Sequence, residues 1–402
     1  VGSEMCIRDS FMIDSAKLPH LMKYMGSKRE LLDFIISSIN DLDIESNWFC
    51  DLFSGTSVVG CSLKDEYNVQ INDIQIYTSI FANTYLPNIN KLINSTELEK
   101  IKDRVLFYVD EFYRKYPDLI FDYNSIDNYE KLTKLEIQQQ NLIYSNFEIG
   151  FHLFVKYYSG TYWSYTQCVW IDSIRAVAEE YKGKSDYYII LSSLIYAMSY
   201  TSQSTGHFAQ FRDVTESNMH DIMLYRIRDI WTYFEKKFLE ILNMVDVEAT
   251  NRYTITTLDY LDCLRLIERN TIVYADPPYS SVHYSRFYHA IETLIRYDYP
   301  NVKYKGRYRE DRHQSPFGKK TEVKNAFGKL FKGVKNKNSH LILSYSDNGM
   351  ITQDEIMEIG NSIMGNQYKG DIQVKEYIHS KMGRSDIHSM GVNELIISYK
   401  RQ

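Results

Sequence analysis

The chain carries seven short strand-like runs, and a long helical stretch falls between the second and the third. "WFCDLF" from Trp48 and "VQINDI" from Val69 come first. "YTITTL" from Tyr253, "TIVYA" from Thr271, "HLILSYS" from His340, "DIQVKEYI" from Asp371 and "NELIISY" from Asn393 come after it. Ser54-Gly55 punctuates the first run, and a helical pattern follows from Val58. Strand, glycine turn, helix, strand is the opening of a doubly wound α/β sheet. From about 91 to 252 the spacing of apolar residues is mainly helical, with segments such as "YYIILSSLIYAMSY". The expected organisation is a sheet domain over 19–90 and 253–402 and a helical insertion over 91–252. The opening "VGSEMCIRDS" fits no periodic pattern, and residues 1–18 are set aside as a cloning scar or a disordered segment.

Composition narrows the class. With 402 residues and 44% hydrophobic content the chain can bury a sizeable core, and 35 tyrosines against 7 prolines are unlike a disordered sequence. No apolar run approaches the roughly 20 residues of a membrane span, and no secretion signal is visible. The five cysteines are scattered without metal spacing, so no metal site is expected and a reducing cytoplasm is the default compartment. Cys50 and Cys61, next to the glycine turn, read as small buried residues. The net charge of -6 argues against a polyanionic partner, but it conceals an asymmetry. Residues 301–340 hold twelve Lys/Arg against three acids, a local net of +9. That stretch is either a solvated basic face or a phosphate-contacting surface.

Three constellations carry chemistry. The turn Asp51-Leu52-Phe53-Ser54-Gly55-Thr56-Ser57 joins a strand end to a helix start, where a glycine lets a ligand approach backbone N–H groups. Asp73 ends the next strand, about 20 residues on, where nucleotide-binding sheets place an acid on ribose hydroxyls. Together they outline an adenosine site; each alone is an ordinary turn and an ordinary helix cap. Asp276-Pro277-Pro278-Tyr279 ends the fourth run. The prolines remove two backbone donors and fix two φ angles. The acid and a fixed carbonyl can accept both hydrogens of an exocyclic amine, and Tyr279 can stack on a planar base taken out of a duplex.

These segments resemble the motifs of adenine-specific, amino-methylating DNA methyltransferases. "KYMGSKRELLDFI", "DLFSGTSVVG", "IND" and "ADPPY" occur in the order of the Dam-type group, with the cofactor motifs first, a helical target-recognition insertion next and the catalytic motif last. Further segments, among them "YYSGTYWSYTQCVWIDSIR", "STGHFAQ", "GRYREDRHQSPF" and "VNELIISY", resemble a restriction-modification-associated branch, so the likeness covers nearly the whole chain from about Pro19. It implies a Rossmann-like seven-stranded sheet that uses S-adenosylmethionine, a bacterial or phage origin, double-stranded DNA as partner, a cognate restriction endonuclease encoded nearby, and a monomer or weak dimer. It assigns Lys23, Tyr24, Gly26 and Lys28 to closure over the cofactor's methionine part, and Asp51, Phe53, Gly55 and Asp73 to the cofactor. Asp259 becomes the acid near its adenine, with Asp262 as competitor, and Asp276, Pro277, Pro278 and Tyr279 become the catalytic motif. Thr56-Ser57 departs from the pattern, since Xaa-Gly is commonest there.

Arg307, Arg309, Arg312, Lys319 and Lys320 are the expected DNA contacts in the basic stretch. Tyr158, Gly160, Tyr162 and Trp163 are core aromatics or DNA contacts; His207 and Phe208 are loop packing or part of a base pocket. Cytosine-ring methylation needs a cysteine nucleophile, and no Pro-Cys dipeptide occurs. The alternatives are amino methylation of cytosine, of RNA or of a glutamine side chain, and a DNA-binding specificity module with a decayed pocket. Asp276 leans towards adenine, because the cytosine form usually shows Ser and the glutamine form Asn.

Overall fold

The computed structural model describes residues 18–86, 95–204, 207–244, 251–278, 284–377 and 392–402. The strand-like runs form one seven-stranded sheet: β1 (Trp48–Asp51), β2 (Asn68–Asn72), β3 (Tyr253–Thr256), β4 (Ile272–Ala275), β7 (His340–Ser346), β8 (Tyr368–Tyr377) and β9 (Val392–Arg401). A two-residue hairpin, β5 (Val302–Lys303) with β6 (Tyr308–Arg309), lies apart from it and is too short to register as a strand pattern. The sheet order is β3-β2-β1-β4-β7-β9-β8. Five strands are parallel, and β9 runs antiparallel to both β7 and β8. Order reverses between β1 and β4, and a doubly wound sheet opens its binding crevice at the carboxyl ends beside such a reversal. Asp51 pairs in register with Tyr274, so Asp276 follows two residues beyond the neighbouring strand position.

Alternation explains why the strands read as unbroken apolar runs. Phe49 enters one core and Cys50 the other; Ile272 and Tyr274 point one way, Val273 and Ala275 the other. Both faces are therefore covered. One cover holds α1 (Leu32–Asn40), α2 (Val58–Ser62) and α3 (Ile76–Tyr85). The insertion follows: α4 (Ser95–Lys115), α5 (Tyr129–Gln140), α6 (Leu153–Tyr158), α7 (Tyr165–Glu180), α8 (Ser185–Thr201), α9 (Met219–Arg226) and α10 (Ile230–Met244). The other face packs under α11 (Tyr260–Leu266), α14 (Val323–Asn336) and α15 (Gln353–Met364). Two short helices, α12 (Tyr284–Phe287) and α13 (His289–Arg296), follow β4.

The insertion is not set apart from the sheet. A single cluster of buried residues runs from Ile272, Tyr274 and Ile342 of the strands into Leu194 of α8 and Phe234 of α10. Buried polar groups pin the junction. Asp172 of α7 accepts the backbone N–H groups of Phe154 and Val155 at 3.0 and 2.9 Å and the hydroxyl of Tyr297 at 2.6 Å. Tyr158, Tyr162 and Trp163 are fully buried here, which settles them as core aromatics. No helix among the described residues is long and apolar enough to cross a membrane.

Candidate functional site

The glycine turn is built by hydrogen bonds across three strand ends. Ser54 N–H donates to the Asn72 carbonyl (2.9 Å), and Gly55 N–H donates to Asp73 Oδ2 (3.0 Å). Gly55 takes φ +49°, and a Cβ there would stand 3.2 Å from the ring of Tyr24, so the missing side chain makes room for that ring. Ser57, where the family pattern favours glycine, adopts the left-handed φ of 59°. The turn geometry is thus kept, at a steric cost of about 1–2 kcal/mol for a residue with a Cβ. Asn72 holds the floor: its amide nitrogen donates to the carbonyls of Leu52 and Leu258, both at 3.1 Å, and its oxygen accepts from Thr256 and Leu258.

A cleft opens over this turn. Tyr24, Gly26, Lys28, Asp51, Phe53, Gly55, Asp73, Asp259, Asp276, Pro277 and Pro278 all line it, so residues more than 200 positions apart converge on one cavity. Tyr279 lies outside the described residues. Asp259 caps α11 by accepting the Leu261 N–H at 2.9 Å, whereas Asp262 is exposed and bound to Arg265; the cavity-lining acid is Asp259. Lys23 is not among the residues that line the cleft; its ammonium sits over the ring of Tyr200, 4.4 Å from the centroid, where burial lowers its pKa. Sequence reading also missed the aromatic stack around Tyr24, which lies 4.6 Å from Tyr288 and 5.7 Å from Tyr284 between ring centroids. On the opposite wall Phe53 meets Phe317 edge-on at 5.5 Å and Tyr260 at 5.7 Å.

The electrostatics are unbalanced. Asp51 accepts the Gly60 N–H on Oδ2 (3.0 Å), while its buried Oδ1 has no hydrogen-bond partner among the described residues. Burial pushes Asp51 from 3.8 up to about 7, and the charges of Asp276 and Asp73 add to the rise. Asp73 goes from 3.8 to about 6, again through burial, held back by backbone N–H donors of Gln75 and Gly55. Asp276 goes from 3.8 to about 7 by burial, with Lys28 opposing and Glu394 reinforcing. Lys28 Nζ stands 3.3 Å from Asp276 Oδ1 and 2.6 Å from Glu394 Oε1. Glu394 lies in β9, whose antiparallel course brings its amino end to the site's edge of the sheet. Nothing in "NELIISY" had marked it beyond being an acid in an apolar run, and that misfit was the available signal.

The basic stretch changes most on folding. Arg309 is 2% exposed and spends its guanidinium on Asp298 (2.6 and 2.8 Å) and Asp311 (3.1 Å), so it is an internal strut and not a surface cation. Arg307, in the β5–β6 turn with φ 53°, donates to the carbonyls of Tyr157 and Gln140, and burial lowers its pKa. Arg312 Nε donates to the Arg309 carbonyl, and its guanidinium lies over the Tyr308 ring. Lys303, Lys305, Lys319 and Lys324 pair with Glu310, Asp213, Glu322 and Glu355. Lys320 is exposed and has no ion pair among the described residues. Much of the local excess of positive charge is therefore consumed within the fold. Phe208 is buried, and its carbonyl accepts from Tyr162, while His207 stacks on Phe287 at 4.2 Å with planes 7° apart.

Comparison with known proteins agrees with this geometry. The model of the D12 class N6 adenine-specific DNA methyltransferase family matches residues 24–359. Modification methylase LlaI of Lactococcus lactis subsp. lactis is 26% identical over 391 residues, covering 94% of this chain and 55% of the relative. Type II methyltransferase M.FokI of Planomicrobium okeanokoites is 27% identical over 354 residues, covering 84% and 46%. Type II methyltransferase M.NlaIII of Neisseria lactamica is 23% identical over 351 residues, covering 84% and 87%. The chain spans about half the length of the first two relatives.

Proposed function

Because the chain belongs to the D12 class N6 adenine-specific DNA methyltransferase family, we propose that it methylates the exocyclic amine of an adenine flipped out of duplex DNA, as the modification enzyme of a restriction-modification system. The donor in this reading is S-adenosylmethionine, the compartment is the cytoplasm, and the working form is a monomer or weak dimer alongside a cognate endonuclease. One observation carries it: the Asp276 carboxylate opens on the same cleft as the Asp51–Gly55 turn and Asp73.

The cleft suits the donor. Asp51, Asp73 and Asp276 face a single lysine, Lys28, so the lining is short of positive charge, and Asp51 Oδ1 is a buried acceptor without a hydrogen-bond partner. Asp73 offers acceptors for ribose hydroxyls, and Phe53 and Tyr260 offer apolar faces for a purine. When bound, S-adenosylmethionine supplies an electrophilic methyl group whose C–S bond breaks towards sulfur as the amine's N–C bond forms.

Asp276 does the rest from the protein side. Its carboxylate accepts one hydrogen of the amine, localising the nitrogen lone pair, a charge-assisted bond of about 1.5–3 kcal/mol. The fixed carbonyl of Pro277 takes the other hydrogen. The methylated nitrogen sheds one proton, and Asp276, raised to about 7, is poised to receive it near neutral pH. Expression in a methylation-free host followed by single-molecule sequencing of its DNA tests this reading. N6-methyladenine at a defined sequence supports it; methylated cytosine, or unmodified DNA from a folded and cofactor-bound protein, overturns it.

A further inference from the structure

Glu394 has no part in the chemistry described so far, yet it is buried as deeply as any charged group near the site. It is 1% exposed and sits in an apolar strand, next to Leu395, Ile396 and Ile397. Oε1 accepts from Lys28 Nζ at 2.6 Å and from the Ser344 hydroxyl. Oε2 is buried with no hydrogen-bond partner among the described residues. Desolvation of a carboxylate placed this way is costly, and a single ion pair rarely recovers the cost in full. An apolar residue would fill the strand position more cheaply, so stability alone does not account for the acid.

The geometry around Lys28 does. Its ammonium lies between two carboxylates and closer to Glu394, at 2.6 Å, than to Asp276, at 3.3 Å. Ser344, on the neighbouring β7, fixes the accepting oxygen. Were Glu394 neutral, Asp276 would be the one carboxylate left to Lys28. The ammonium would then close onto the buried Asp276 Oδ1 and draw the carboxylate's charge away from the oxygen that meets the incoming amine. The other groups facing this cluster are the Tyr274 hydroxyl, under the sheet end, and Asp51, whose charge acts on Asp276 through the cleft.

Resting on the methyl-transfer reading above, we propose that Glu394 is a positioning residue: it holds Lys28 off Asp276 and keeps the Asp276 carboxylate open to the target amine. It touches neither substrate nor donor. Its effect passes through Lys28, which sets a requirement that a purely structural residue does not meet: removing Glu394 should matter only while Lys28 is charged.

The test is a double-mutant cycle of Glu394→Gln and Lys28→Met, with tritiated S-adenosylmethionine and DNA from a methylation-free host. Glu394→Gln alone is expected to lower kcat/KM for DNA roughly tenfold or more, with donor affinity held within about threefold. The acid limb of its pH profile should move down by roughly half a unit, because Asp276 loses a like charge and gains a closer ammonium. In the Lys28→Met background the same substitution should cost almost nothing. A Glu394→Gln enzyme with wild-type kcat/KM, or an undiminished penalty without Lys28, overturns the assignment. If the glutamine variant fails to fold, Glu394→Asp carries the test, since it keeps the charge one methylene short. A partial loss with the acid limb moved part of the way supports the role, and a loss with the limb unmoved refutes it. Absence of methyl transfer by the unaltered chain would instead bring down the functional reading, so the two failures are distinguishable.

Discussion

Arg309→Met separates the two fates open to a cation in the basic stretch. The guanidinium makes four contacts, to Asp298 at 2.6 and 2.8 Å and to Asp311 at 3.1 and 3.1 Å. Removing one partner of a fully buried pair costs about 3–5 kcal/mol. Here the arginine side chain is 2% exposed, but Asp298 and Asp311 are 36% and 49% exposed, so water can recover much of what they lose. Arg296 also stays behind, 3.0 Å from Asp298 and 2.7 Å from Asp311. The expected destabilisation is therefore about 1–3 kcal/mol, or roughly 1–4 °C in Tm for a chain of 402 residues. Scanning calorimetry reads that loss, and DNA affinity measured across a salt series reads the rival. A lost phosphate contact would flatten the slope of log K against log salt by about 0.9. An unchanged Tm with a slope flattened by that amount would refute the strut.

Two other expectations follow from the carboxylates of the cleft. Asp51→Asn should weaken S-adenosylmethionine binding about tenfold by calorimetry, while raising the Tm of the ligand-free protein above pH 7, because a buried charge raised to about 7 is removed. Asp51, Asp73 and Asp276 are all raised in the folded state, to about 7, 6 and 7, from near 3.8. The folded protein therefore holds protons that the unfolded chain releases. Stability is fully present below about pH 4 for these groups and is lost as pH rises through about 6 to 7. His20, His289 and His340, lowered by burial to about 4, 3 and 4, act in the opposite direction up to about pH 6.5, so the acids are read by difference. The Tm advantage of Asp51→Asn over the unaltered ligand-free chain should grow from pH 5 to 8, and an advantage that does not grow would contradict the burial assigned to Asp51.

Much of the molecule was legible because its strands are short, apolar and punctuated. All seven runs became strands, and the acids that end three of them, Asp51, Asp73 and Asp276, came together because a doubly wound sheet gathers carboxyl ends at its reversal point. What escaped depended on contacts distant in sequence. Lys23 and Lys28 are five residues apart and look alike as cations, but one lies over Tyr200 and the other between two carboxylates. Charge counting in 301–340 could not register Asp298, Asp213 or Glu355, which lie outside the stretch and neutralise parts of it. Periodicity in the insertion reports which face of a helix is apolar, not which neighbour covers it. In the fold the insertion helices cover one another and α3, and α3 packs on β2 and β3, so the insertion's core is continuous with that of the sheet.

Comparison of Asp276→Ala with the unaltered chain tests the central claim most directly. Transfer of tritiated methyl to DNA and binding of S-adenosylmethionine are measured on the same preparations. The account predicts that transfer falls by a factor of roughly 1,000 or more, as when a group that acts on the reacting atoms is lost. Donor affinity should stay within about threefold, since the proposed donor site rests chiefly on the Asp51 turn and Asp73. Methyl transfer by Asp276→Ala at a rate near that of the unaltered chain would contradict the account.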